Sequence, residues 1–125
     1  GANKLYGTRN MISEATYQQV RSQFITRPLD LIVVKGKRKP VQVYELIARK
    51  DEQLHHLLAS ILPMYEEGMA YYEARNWEKA ADRFSSILRL MPDDGPSKLY
   101  LRRSQEFALS PPPLDWDGVY QMQSK

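Results

Sequence analysis

Apolar and polar positions alternate between Arg27 and Leu46, the clearest pattern in the chain. Leu29, Leu31 and Val33 interleave with Asp30, Ile32 and Val34, and Val41, Val43 and Glu45 interleave with Gln42, Tyr44 and Leu46. That spacing puts successive side chains on opposite faces of a sheet. Between the runs, Lys35-Gly36-Lys37-Arg38-Lys39-Pro40 holds a glycine that can turn and a proline that removes a ladder donor, so pairing resumes after Pro40. The expectation is a β-hairpin with Lys35, Lys37, Arg38 and Lys39 at its tip. Upstream, Tyr6 to Ile12 predicts a strand. Ser13-Glu14-Ala15-Thr16 then opens a short helix, with Ser13 as N-cap and an end near Ser22 or Gln23. A strand, a helix and a hairpin bury little apolar surface by themselves.

From Asp51 the pattern becomes helical. Leu54, Leu57, Leu58, Ile61 and Leu62 form one stripe, which predicts a connecting helix within residues 49–62 that Pro63 ends or kinks. Beyond it, Met64, Gly68, Tyr71 and Tyr72 are expected to face Trp77, Ala80, Ala81, Phe84 and Leu88 across the Arg75-Asn76 turn, the small Gly68 and Ala80 letting two backbones approach. After the turn-rich Pro92-Asp93-Asp94-Gly95-Pro96, Ser97 is expected to cap a third helix reaching about Leu109. Ser110-Pro111-Pro112-Pro113 is a stiff polyproline stretch, and Leu114 to Met122 is apolar enough to dock as a strand or turn. The fold class is α+β, a sheet piece over residues 1–48, the connecting helix, a helical segment over 61–109 and an extended proline-rich tail over 110–125.

Charge changes the picture more than composition does. The 125 residues are 42% hydrophobic and 26% charged, ordinary for a globular protein, with no cysteine for a disulfide or thiolate metal site. No apolar run approaches the roughly 20 residues of a membrane span. Net charge is +3, yet residues 1–50 hold ten Lys/Arg against Glu14, Asp30 and Glu45, while residues 51–125 hold eight against twelve acids. A basic first half suits a polyphosphate ligand or nucleic acid, with solvated lysines the plainer reading. The opening Gly1-Ala2-Asn3-Lys4 has neither an initiator Met nor a signal-peptide core, so a piece of a longer cytoplasmic protein is expected.

Tyr6-Gly-Thr-Arg-Asn-Met-Ile-Ser-Glu-Ala-Thr-Tyr17, Phe24-Ile-Thr-Arg-Pro-Leu-Asp30, Val34-Lys-Gly-Lys37 and Pro40-Val-Gln-Val-Tyr-Glu-Leu46 occur in that order. Together they resemble the last part of a class III nucleotidyl cyclase catalytic domain, of the adenylate/guanylate cyclase family in its bacterial form. The resemblance covers about the first 48 residues. It implies a parent enzyme that converts ATP, or less readily GTP, to the cyclic nucleotide and pyrophosphate with Mg²⁺ or Mn²⁺. It also implies a homodimer with shared sites and, as in many bacterial relatives, a sensor and membrane anchor upstream. Lys35, the first lysine of the Val-Lys-Gly-Lys turn, takes the position that binds the terminal phosphates, with Lys37 a weaker second. Cations there would stabilise charge developing on the leaving pyrophosphate. The family's metal-binding aspartates and its transition-state Asn and Arg belong upstream of the matched part. Asp30 is the sole aspartate of residues 1–50, so this piece is expected to bind no metal and to be inactive alone.

Residues 61–94 resemble a tetratricopeptide repeat, a helix–turn–helix unit of about 34 residues. Gly68 and Ala80 fall on its small positions, Tyr71 and Phe84 on its aromatic ones and Pro92 on its closing proline, while Glu67 and Ile87 depart from it. One repeat with flanking helices must lean on something else for stability. His55 and His56, adjacent on an expected helix, cannot ligate a metal together. Ser13, Ser60 and Ser85 lack a nucleophile motif, and Trp77, Tyr71, Tyr72 and Phe84 read as core rather than a base-stacking platform. The reading is therefore the regulatory or interaction end of an adenylate cyclase, with a protein partner for the helical segment and no nucleic acid or membrane contact. The rival reading is a non-enzymatic protein-interaction module built on the repeat.

Overall fold

Strand β1 is Met11–Ile12, β2 is Phe24–Ile32 and β3 is Val41–Arg49, joined in one antiparallel sheet of order β1-β3-β2. These belong to a computed structural model that describes residues 6–8, 10–34, 36 and 38–121. It divides into two compact units, one combining Gly1–Thr8 with Gln53–Pro112 and the other Arg9–Glu52 with Pro113–Lys125. The chain thus passes from one unit to the other at three places along its length.

In the sheet unit, the hairpin forms where the alternation predicts it. Phe24 and Ile25 pair with Arg49 and Ala48; Thr26, Arg27 and Pro28 pair with Leu46, Glu45 and Tyr44; Asp30, Leu31 and Ile32 pair with Val43, Gln42 and Val41. Ile47 on β3 and Leu29 on β2 are skipped, so two bulges on opposite strands cancel and only the central triplet is offset. The bulge lets Leu29 and Asp30, neighbours in sequence, both be buried at 0% and 5% exposure. Helix α1, Glu14–Val20, starts as expected, with Ser13 Oγ accepting from the Thr16 amide at 3.2 Å. After Pro113 the chain is not an extended tail. Trp116 Nε1 donates to the Val119 carbonyl at 2.7 Å, Asp117 Oδ1 accepts from the Val119 amide at 2.9 Å, and Val119 is buried. A Cβ on Gly118 would lie 2.9 Å from Leu31 Cδ1, so the turn docks against the hairpin.

The helical unit holds α2 (His56–Glu73), α3 (Trp77–Leu90) and α4 (Gly95–Leu109). Its core is aromatic. Tyr65, Tyr72, Phe84, Tyr100 and Phe107 are buried together with Ile61, Met69, Trp77, Ala80, Ile87 and Leu99. Tyr65 meets Phe84 and Tyr100 edge-on at centroid separations of 5.8 and 6.4 Å, and Tyr72 meets Tyr100 at 4.9 Å. Arg75 takes φ 63° in the turn between α2 and α3, and Asn76 caps α3 through the Lys79 amide.

Four expectations are corrected. The strand foreseen over Tyr6 to Ile12 shrinks to Met11–Ile12, with Tyr6 helical and Gly7 in a turn. No separate connecting helix occupies 49–62, because β3 continues to Arg49 and α2 begins only at His56. Pro63 neither ends nor starts a helix but sits inside α2. The amide it lacks would have bonded the Ala59 carbonyl, and both residues are exposed, so water can serve that carbonyl. Ser97 is not the cap of α4. Asp94 is, its Oδ2 accepting from the Ser97 amide at 3.3 Å and from Ser97 Oγ at 2.5 Å.

Candidate functional site

The hairpin tip spans residues 33–40, beyond the last pair, Ile32 with Val41. Lys35 and Lys37, the phosphate-binding candidates, lie outside the described residues. Between them Gly36 adopts φ 87°, a left-handed conformation in which a Cβ would meet open space. Arg38 and Lys39 are exposed, and Val33 and Val34 remain 52% and 40% exposed. Of the tip's cations, Arg38 and Lys39 therefore face solvent.

Below the tip lies a polar stem that the alternation did not disclose. Arg27 and Glu45 face each other across β2 and β3, with Arg27 Nε donating to Glu45 Oε1 at 2.7 Å and side chains only 5% and 16% exposed. Gln42 Nε2 donates to the carbonyls of Asp30 and Val43 at 2.8 and 2.9 Å, and Asp30 Oδ1 accepts from the Leu31 amide at 2.9 Å. Both charges of the pair are visible in the sequence, but their pairing depends on the two bulges, which no composition signal marks. A second missed feature joins α1 to the sheet. Tyr17 stacks on Tyr44 at 3.7 Å with rings 6° apart, Arg21 lies 5.7 Å from the Tyr17 centroid, and Glu14 Oε1 accepts from the Gln42 amide at 3.3 Å. Burial, then Tyr17 and Glu14, push the Tyr44 hydroxyl above its ordinary pKa, with Arg21 opposing.

Neither unit assembles a metal site among the described residues, where no group of three or more His, Asp or Glu is placed to hold one. Asp30 is occupied by its neighbour's amide. His55 is not helical but caps α2, Nδ1 accepting from the Leu57 amide at 3.2 Å, and its ring stacks on His56 at 4.6 Å rather than pointing away. Among the described residues no helix is long and apolar enough to cross a membrane.

Of the helix-packing candidates, Gly68 and Phe84 meet, and Ala80 is buried one turn before Phe84 on α3. Ala80 and Phe84 are 0% exposed, and a Cβ on Gly68 would lie 2.8 Å from the Phe84 ring. Tyr71 does not join them. It is half-exposed with Lys79 Nζ 5.7 Å from its centroid, and Tyr72 supplies the buried aromatic, 5.3 Å from Trp77.

No protein-family model matches the chain, and no solved structure matches it. The chain is 33% identical over 103 residues to a curated protein, the terminal-differentiation specific adenylate cyclase of Dictyostelium discoideum. The match takes in 80% of this chain but 5% of that protein's length. Four-fifths of the chain is more than either unit contains, so the similarity runs through both. The chain thus carries an adenylate cyclase-related region that includes sheet residues and helical ones alike.

Proposed function

We propose that this chain closes the catalytic domain of an adenylate cyclase and continues into a helical extension that regulates it or binds a partner. The observation that carries the reading is the similarity to an adenylate cyclase across both units, since a cyclase piece fused to an unrelated module would match over the hairpin alone. In this reading the parent converts ATP to cyclic AMP and pyrophosphate as a homodimer, and other parts of the parent supply the metal ligands. The role left to this chain is electrostatic. Lys35, next to Gly36 in sequence, holds the terminal phosphates, and Lys37 and Arg38 add positive potential where the leaving pyrophosphate gains charge. The helix pair with Gly68 against Phe84 supports a tetratricopeptide-like extension.

Two measurements test this. The 125-residue chain alone is expected to form no cyclic nucleotide from ATP or GTP above a protein-free control, and formation above it overturns the division of labour. In the parent, Lys35→Ala removes one charge-assisted contact of roughly 1.5–3 kcal/mol, a fall of about 10–150-fold in kcat/KM. An unchanged kcat/KM makes Lys35 a turn residue only.

A further inference from the structure

Three described residues of the helical unit, Tyr6, Gly7 and Thr8, precede β1 in sequence. Tyr6 and Thr8 are 4% and 9% exposed within it, and Gly7 sits at φ 65°. Their partner is the start of α4. A Cβ on Gly7 would fall 2.9 Å from Gly95 Cα, and a Cβ on Gly95 would fall 2.7 Å from Gly7 Cα and overlap the Tyr6 carbonyl oxygen. Real Cβ atoms do not approach that closely, so two backbones touch here because both residues are glycine. The surroundings are built to keep the contact. Asp94, Pro96 and Ser97 are buried, and Asp94 is spent on its cap bonds to Ser97.

The φ of Gly95 is not positive, unlike those of Gly7, Gly36 and Gly118. As the first residue of α4 and the one before Pro96, it already gains from lacking a Cβ, which would crowd the proline ring in a helical conformation. The contact with the Tyr6-Gly7 backbone is a second, independent demand on the same position.

We propose that the Gly7–Gly95 contact is a clasp in cis, by which the helical unit grips its own chain at Tyr6–Thr8, before β1, as well as after β3. The partner fitted by this face of α4 is an aromatic-glycine-threonine segment of the same polypeptide, not a separate peptide. The clasp stands on geometry alone. Its consequence for a cyclase rests on the function proposed above: by restraining the chain at Tyr6–Thr8, just before β1, the helices act on turnover.

Hydrogen exchange on the intact chain tests the clasp. Gly95→Ala is expected to speed exchange at Gly7, Thr8 and Asn10 by at least about tenfold while the amides of α2 and α3 keep their protection. Tyr6→Ala, which removes the buried anchor and leaves α4 untouched, is expected to release the same three amides. Unchanged exchange at 7–10 in both variants overturns the proposal, as does a Gly95→Ala chain that is merely stabilised by better helix propensity. In the full-length protein, Gly95→Ala is expected to alter kcat and leave KM for ATP unchanged, whereas Lys35→Ala changes kcat/KM. An unaltered kcat with released amides overturns the regulatory consequence. A wild-type protein with no cyclase activity overturns the function reading and leaves the exchange result to decide the clasp.

Discussion

The two units hold themselves together by different means. The helical one packs rings against rings around Phe84 and Tyr100, with Gly68 and Ala80 making room. The sheet unit buries few apolar side chains fully, chiefly Leu29, Val43 and Val119, and places an ion pair, Arg27 with Glu45, in its stem. Apolar packing tolerates exchange of similar volumes, whereas a buried charge pair is unforgiving of losing one partner. The contrast teaches that the helices are specified by shape and the hairpin by pairing.

If so, the largest loss should come from Phe84→Ala, about 3–5 kcal/mol for an aromatic removed from a filled core. Urea unfolding followed by circular dichroism at helical wavelengths measures it, and a loss below that of any sheet substitution breaks the comparison. Arg27→Ala comes next. It takes the 2.7 Å ion-pair partner from a part-buried Glu45 and is expected to cost about 1.5–3 kcal/mol, seen as earlier loss of hairpin amide protection. The exchange Arg27→Glu with Glu45→Arg should recover part of the loss if pairing is what matters. Ala80→Leu overpacks the α2–α3 contact and should cost roughly 1–3 kcal/mol. Ala48→Leu, half-buried near the end of β3, should shift Tm less, and equal shifts would deny the close helix approach. The smallest effect belongs to Ser13→Ala, about 1 kcal/mol from the α1 cap. Retained protection of the Thr16 and Tyr17 amides would show the cap to be idle.

The same contrast explains what the sequence disclosed. Alternation located β2 and β3, and the Gly68, Ala80 and Phe84 spacing located the helix contact, because both are set by side-chain volume and period. What stayed hidden was set by pairing. The bulges at Leu29 and Ile47 shift the partners of Arg27 without altering the apolar pattern on either side. Pro63 misled because the bond it forfeits belongs to the carbonyl of the exposed Ala59, which solvent can reach. Asp94 was missed because Gly95-Pro96 reads as a turn, although proline fits the first turn of a helix. Tyr71 and Tyr72 are adjacent and chemically alike, so residue type does not tell which is buried; it is Tyr72. Lys35 and Lys37, legible only through family resemblance, remain a proposal.

The chain's alternation between units has a consequence for cleavage. Gln53 is exposed, and a protease cutting between Glu52 and Gln53 would leave two polypeptides, each contributing residues to both units. Such halves are complementary rather than independent, so the nicked protein is expected to elute as one species and to separate only when denatured. The same site would serve for a split reporter, in which each half completes the other's units.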